Sequence, residues 1–173
     1  MSNHPVHPAT VHFPIAFTLL AGFLDTVYAA SANPLTSKFV NSTIKTLDIQ
    51  LAPATFPILS HYVTLLILIT SAPAVVSGAL ELMPVIKRDG FGSKKAKAGI
   101  LHAVVNDLTV FGAAYNFWTR RQKIGFVPSE TNLLISILIA IPATLFAAYL
   151  GGQLVYQYGM GIGRGQTKSK KAQ

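Results

Sequence analysis

This chain predicts an all-α fold, an integral membrane four-helix bundle, on three observations. Of its 173 residues 51% are hydrophobic and only 12% are charged, and mean hydropathy is +0.47, a balance that keeps poorly in water. Four stretches, at about residues 13–30, 59–82, 98–118 and 133–158, are apolar over the ~20 residues that a helix needs to cross a hydrocarbon core about 30 Å thick. The cations fall mainly between and after these stretches.

Taken in order, the chain opens with His4-Pro5, His7-Pro8 and His12-Phe13-Pro14. Proline disfavours α geometry in the residue before it, so the approach to the first span is expected to be extended, with His4 and His7 capping that end in solvent. No Lys or Arg precedes the first apolar run, unlike a secretory signal, so this span is expected to be retained. Asp25 is its only charge. The polar stretch from Ser31 to Pro57 contains Phe39, Val40, Ile44, Leu47 and Leu51 at spacings of three and four, the pattern of a short amphipathic helix on the membrane surface.

The second span carries His61 near its start and Glu81 near its end. A basic loop with Gly90 and Gly92 turns the chain into the third span, the most polar one, which holds His102, Asn106, Asp107 and Asn116. The fourth has no ionisable group before Tyr149. Residues 1–162 thus read as one four-span domain, and residues 163–173 as a basic, disordered tail.

Composition narrows the function. The formal charge of +8 would suggest nucleic acid in a soluble chain, but the cations lie in loops and tail with no basic face interleaved with aromatics. No nucleic-acid partner is expected; the partner that composition implies is the lipid bilayer. Zero cysteines exclude disulfides, iron–sulfur clusters and thiolate zinc, so any metal would depend on His, Asp, Glu or backbone oxygen.

Four spans put both termini on one side with the loop between spans two and three. That side carries nine Lys and Arg residues and the other five, so the positive-inside rule places both termini in the cytosol. The same topology gathers His12, Glu81, His102, Asn106, Gly151, Gly152, Gln153 and Tyr156 into one polar layer at the terminal-side end. On span three, His102, Asn106, Thr109, Ala113 and Asn116 share a helical face. On span four, Ala140, Thr144, Ala148 and Gly152 beside Ala143, Ala147 and Gly151 form the small-every-four pattern that lets helices approach closely in lipid. Thr64, Ser71, Thr109 and Asn116 read as interhelical hydrogen-bond formers. The intramembrane carboxylates Asp25 and Asp107 must be paired, protonated or water-lined, because an isolated charge there costs about 2.5–3.5 kcal/mol on insertion scales. His61, at the opposite end, is placed to meet Asp25 or Asn116.

These residues resemble a known family. His4-Pro5 and Val11-His12-Phe13-Pro14-Ile15-Ala16, Gly78 with Glu81, His102 with Asn106, and Gly151-Gly152-Gln153-Leu154-Val155-Tyr156 before Gly159-Met160-Gly161-Ile162 are similar to the membrane proteins termed domain of unknown function 2231. The resemblance runs from about His4 to Ile162 and implies a four-span fold with a redox association. The chain departs from the family pattern at Glu81, where Asp is more usual, and at Gln153, where an acidic residue often stands.

Two functions from different classes fit the pattern. In one, His12 and His102 bind haem b, a metal ion or a quinone, with Glu81, Asn106 and Tyr156 orienting the ligands, and a redox or membrane-protein partner or a second copy of the chain completes the system. In the other, the polar layer only locks the helices of a non-enzymatic subunit or scaffold. A third, a proton or solute route through Asp25, Asp107 and His102, requires a continuous water-lined path. No nucleophile–base pair, phosphate loop or carboxylate pair stands out, which argues against hydrolase or transferase chemistry.

Overall fold

The computed structural model describes residues 6–160; His4 and the basic tail lie outside the described residues. Helix α1 (Val6–Thr10) leads through a bend at Val11 into α2 (His12–Ala32), followed by α3 (Ser37–Thr46), α4 (Thr55–Asp89) and α5 (Lys94–Arg120). A short turn, Ile124–Phe126, precedes the last span, α6 (Glu130–Tyr156), which is π-helical over Leu134–Ala140. Four of these segments are long and apolar enough to cross a membrane, and they pack in a ring, α2 on α4, α4 on α5, α5 on α6 and α6 on α2. The chain is an all-α integral membrane bundle.

Two expectations change. The N-terminal approach is helical, because Pro8 and Pro14 each occupy the third residue of a helix, where a missing N–H breaks no helical bond. Helix α4 outruns its expected span in both directions. Its 35 residues make it roughly 52 Å long at 1.5 Å per residue, so its ends extend beyond the hydrocarbon core. The amphipathic segment does form a helix, α3, with Val40 and Ile44 half-buried and Phe39 exposed.

One buried ion pair registers the end of the bundle opposite α1. The Arg120 and Asp25 side chains are 0% exposed, and Arg120 Nη1 donates to both carboxylate oxygens at 3.1 Å. The same guanidinium donates to Ser60 Oγ at 3.2 Å, the Pro57 carbonyl at 3.0 Å and the Phe126 carbonyl at 3.0 Å, so it ties α2, α4, α5 and the turn before α6 together. Counted from the sequence as a loop cation, Arg120 is in fact interior: its partner stands 95 residues away, and the carboxylate and three further acceptors offset part of the cost of its burial.

Around this pair, the His61 ring stacks between Phe126 at 4.0 Å and Phe117 at 4.7 Å. The turn that delivers Phe126 has positive φ at Gly125 (65°) and at Phe126 itself (55°), a conformation unusual for a non-glycine residue and held here by the Arg120 bond and the His61 stack. Asn132 joins α6 to α5, donating from Nδ2 to Asn116 Oδ1 at 2.9 Å and Thr119 Oγ1 at 2.8 Å.

Breaking one member of a buried ion pair leaves an uncompensated charge and costs about 3–5 kcal/mol. Asp25→Asn and Arg120→Gln are each expected to lower stability by about that much, and the double variant by clearly less than the sum. Equilibrium unfolding in mixed micelles measures the cycle; additive losses would mean the pair is not coupled.

Candidate functional site

The opposite end of the bundle holds two imidazoles. In α1, His7 points onto α4, where its Nδ1–H donates to the Ala74 carbonyl at 3.0 Å and lies 3.2 Å from Ser77 Oγ. A carbonyl only accepts, so Nδ1 carries the proton and Nε2 the lone pair of the neutral ring. The His7 backbone N–H, one of the first-turn amides with no helical acceptor, donates to Glu81 Oε1 at 3.2 Å. Thr10 closes the contact, its Oγ1 donating to the His7 carbonyl at 2.9 Å and lying 3.0 Å from Ser77 Oγ.

His102 on α5 repeats the arrangement against α6. Its Nδ1–H donates to the Ala147 carbonyl at 2.9 Å, fixing the same tautomer, and Asn106 Nδ2 lies 3.3 Å from its Nε2 while donating to the His102 carbonyl at 2.7 Å. The two rings are perpendicular, 89° between planes, with centroids 6.1 Å apart.

Each ring is seated on a glycine. A Cβ added at Gly78 would lie 2.8 Å from His7 Cε1, and one added at Gly151 would lie 3.2 Å from His102 Cε1. Helical glycine costs about 1 kcal/mol against alanine; here it makes room for an imidazole between helices.

Of the expected polar layer, Glu81 and His102 meet His7, and Asn106 and Gly151 meet His102. His12 does not join them: five positions past His7, it stands exposed on another side of the helix. Gly152 has open space around its Cα, because one residue turns a helix by about 100°. Gln153 Nε2 donates to the Tyr149 hydroxyl at 2.7 Å on the outer face of α6, and Tyr156 is 85% exposed. Asp25 belongs to the far ion pair. Asp107 is half-buried, and no hydrogen bond to it forms among the described residues. His61 meets neither Asp25 nor Asn116; its Nδ1 is buried without a hydrogen-bond partner among the described residues.

The residue missed by sequence reading is His7, and spacing contained the signal. Asp25 and His7, Arg120 and His102, and Ser60 and Gly78 are each eighteen residues apart, which is five helical turns of 3.6 residues. Residues that meet at one end therefore have counterparts on the same faces that meet at the other. Only knowledge that Asp25 pairs with Arg120 makes that count usable.

Comparison with known families decides the classification: the model of a predicted membrane protein family, DUF2231, matches residues 3–164. The chain belongs to the DUF2231 family. No curated protein and no solved structure matches it. The match takes in both ends of this DUF2231 bundle, the imidazole pair and the Asp25–Arg120 lock.

Gly78→Ala is expected to push His7 off α4 and speed amide hydrogen exchange across Val6–Thr10 at least tenfold. Gly152→Ala, with nothing near its added methyl, should leave that exchange unchanged. Equal behaviour of the two variants would show that the glycine seat does not hold α1.

Proposed function

We propose that this integral membrane protein is a redox-associated module that binds haem b through His7 and His102, with His7 in the role expected of His12. The observation that supports it is the fixing of both rings through Nδ1, by the Ala74 and Ala147 carbonyls. A main-chain carbonyl on Nδ1 orients an imidazole ligand and leaves Nε2 as its donor atom.

The donor set distinguishes among the cofactors expected. Two imidazoles do not complete the four-ligand shell of a structural ion, and among the described residues no three His, Asp or Glu side chains gather to hold one. Haem carries most of its iron's donors itself and takes one or two more from the protein, so the pair would suit haem better than a bare ion. Haem bound there would supply one-electron transfer. Glu81 would hold α1 in place through the His7 amide, and Asn106 would steady His102. With Arg120 paired to Asp25, the far face keeps Lys38, Lys45, Arg121 and Lys123 against the nine cations of the terminal side, which supports cytosolic termini. A redox partner is the partner class this reading requires.

A second reading, a non-enzymatic scaffold, is favoured by the Asn106 amide at His102 Nε2, which gives that nitrogen a donor without any cofactor, and by the glycine seats that make both rings helix locks. Absorption spectra of protein purified from haem-replete membranes and titrated with haemin separate the two. Haem binding predicts a Soret band that His12→Ala keeps and that His7→Ala and His102→Ala each reduce at least tenfold. The scaffold predicts no band, and lower thermal stability in the last two variants.

A further inference from the structure

Between the two polar ends, nearer the ion pair, lies a small cavity of about 20 Å³, lined by alanines, Ile67 and Ile135 and by Thr18, Thr64, Thr109, Asn116 and Ser136 from α2, α4, α5 and α6. Room for one water requires only about 10–15 Å³ of such volume, together with two to four polar partners.

The hydroxyls around it are all oriented alike. Thr18 Oγ1 donates to the Pro14 carbonyl at 2.7 Å, Thr64 Oγ1 to Ser60 at 2.8 Å, Thr109 Oγ1 to Asn106 at 2.7 Å, and Ser136 Oγ to Asn132 at 3.0 Å. Each hydroxyl has a single hydrogen, and each has directed it to its own helix backbone. What remains at all four oxygens is acceptor capacity. Asn116 differs: one Nδ2–H goes to the Asn132 carbonyl at 3.1 Å, and the carboxamide has a second to give. The cavity therefore combines several acceptors with one donor.

We propose that this cavity is a specific site for one water molecule, which accepts from Asn116 and donates to the hydroxyls of Thr18 and Thr64. A water has two donors and two acceptor positions, matching that set. A lipid chain or another apolar occupant would leave the acceptors unanswered. A bare cation would find no carboxylate among the lining residues, and an uncompensated charge in the middle of a bundle is costly. The water would join α5 to α2 and α4 and extend to them the hydrogen-bonded link that Asn116 makes to Asn132 on α6.

The test is a structure of the full chain in lipid, at a resolution that shows ordered water, in sodium chloride and again in choline chloride. One peak is expected, within about 3.2 Å of Asn116 and at least two hydroxyl oxygens, equally strong in both salts. The Thr18→Val, Thr64→Val double variant, which keeps side-chain shape and removes two acceptors, should lose the peak; should that variant not fold, the wild-type maps decide alone. A dry cavity, an elongated acyl density, or a peak present only with sodium and ringed by five or six oxygens would overturn the proposal. So would a peak that persists undiminished in the folded variant.

Discussion

The buried pair of Asp25 and Arg120 is the constraint on which the bundle depends. Neither charge is tolerable alone among apolar helices, and their meeting fixes the rotation and depth of α2 against α5. The remaining guanidinium donors bring in Ser60, Pro57 and Phe126, so α4 and the entry to α6 inherit the same register. Helices have a fixed rise, and eighteen residues carry the register about 27 Å, close to the ~30 Å of a hydrocarbon core. At that distance α4 and α5 deliver Gly78 and His102, and α1, joined to α2 through Val11 in right-handed helical geometry, delivers His7. The imidazole end thus lies in register with the ionic end, one bilayer thickness away.

Much of the fold was legible because its cause is local. Apolar runs of sufficient length can satisfy their backbone in lipid only as helices, and the expected small-residue stripes of α6 pack closely at Ala140, Thr144 and Ala147 but not at Ala148, which is exposed, or at Gly152. The misread parts depend on context. Proline in an N-terminal segment reads as extended chain until it is known to occupy a first helical turn, and Arg120 reads as loop because Arg121, Gln122 and Lys123 follow it. Its interior position depends on a carboxylate 95 residues earlier, a relation that no local pattern displays.

The polar layer was legible by depth and not by direction. Counting residues from the membrane edge correctly collected Glu81, His102, Asn106 and Gly151. Depth alone cannot separate Gly151 from Gly152, which face directions about 100° apart, nor choose between His7 and His12, which differ by five residues. Those choices are made by what each side chain meets: a glycine notch and a main-chain carbonyl accept an imidazole at His7 and His102, and nothing comparable faces His12.

The docking of α1 on α4 is the contact from which the imidazole pair follows, and a chain without cysteine allows it to be probed cleanly. Thr10 Oγ1 and Ser77 Oγ lie 3.0 Å apart, so a Thr10→Cys, Ser77→Cys protein oxidised in native membranes should form an intramolecular disulfide in high yield, read by mass spectrometry, while His12→Cys, Ser77→Cys should not. Efficient bridging of the His12 variant with none in the Thr10 variant would contradict the placement of His7 beside His102.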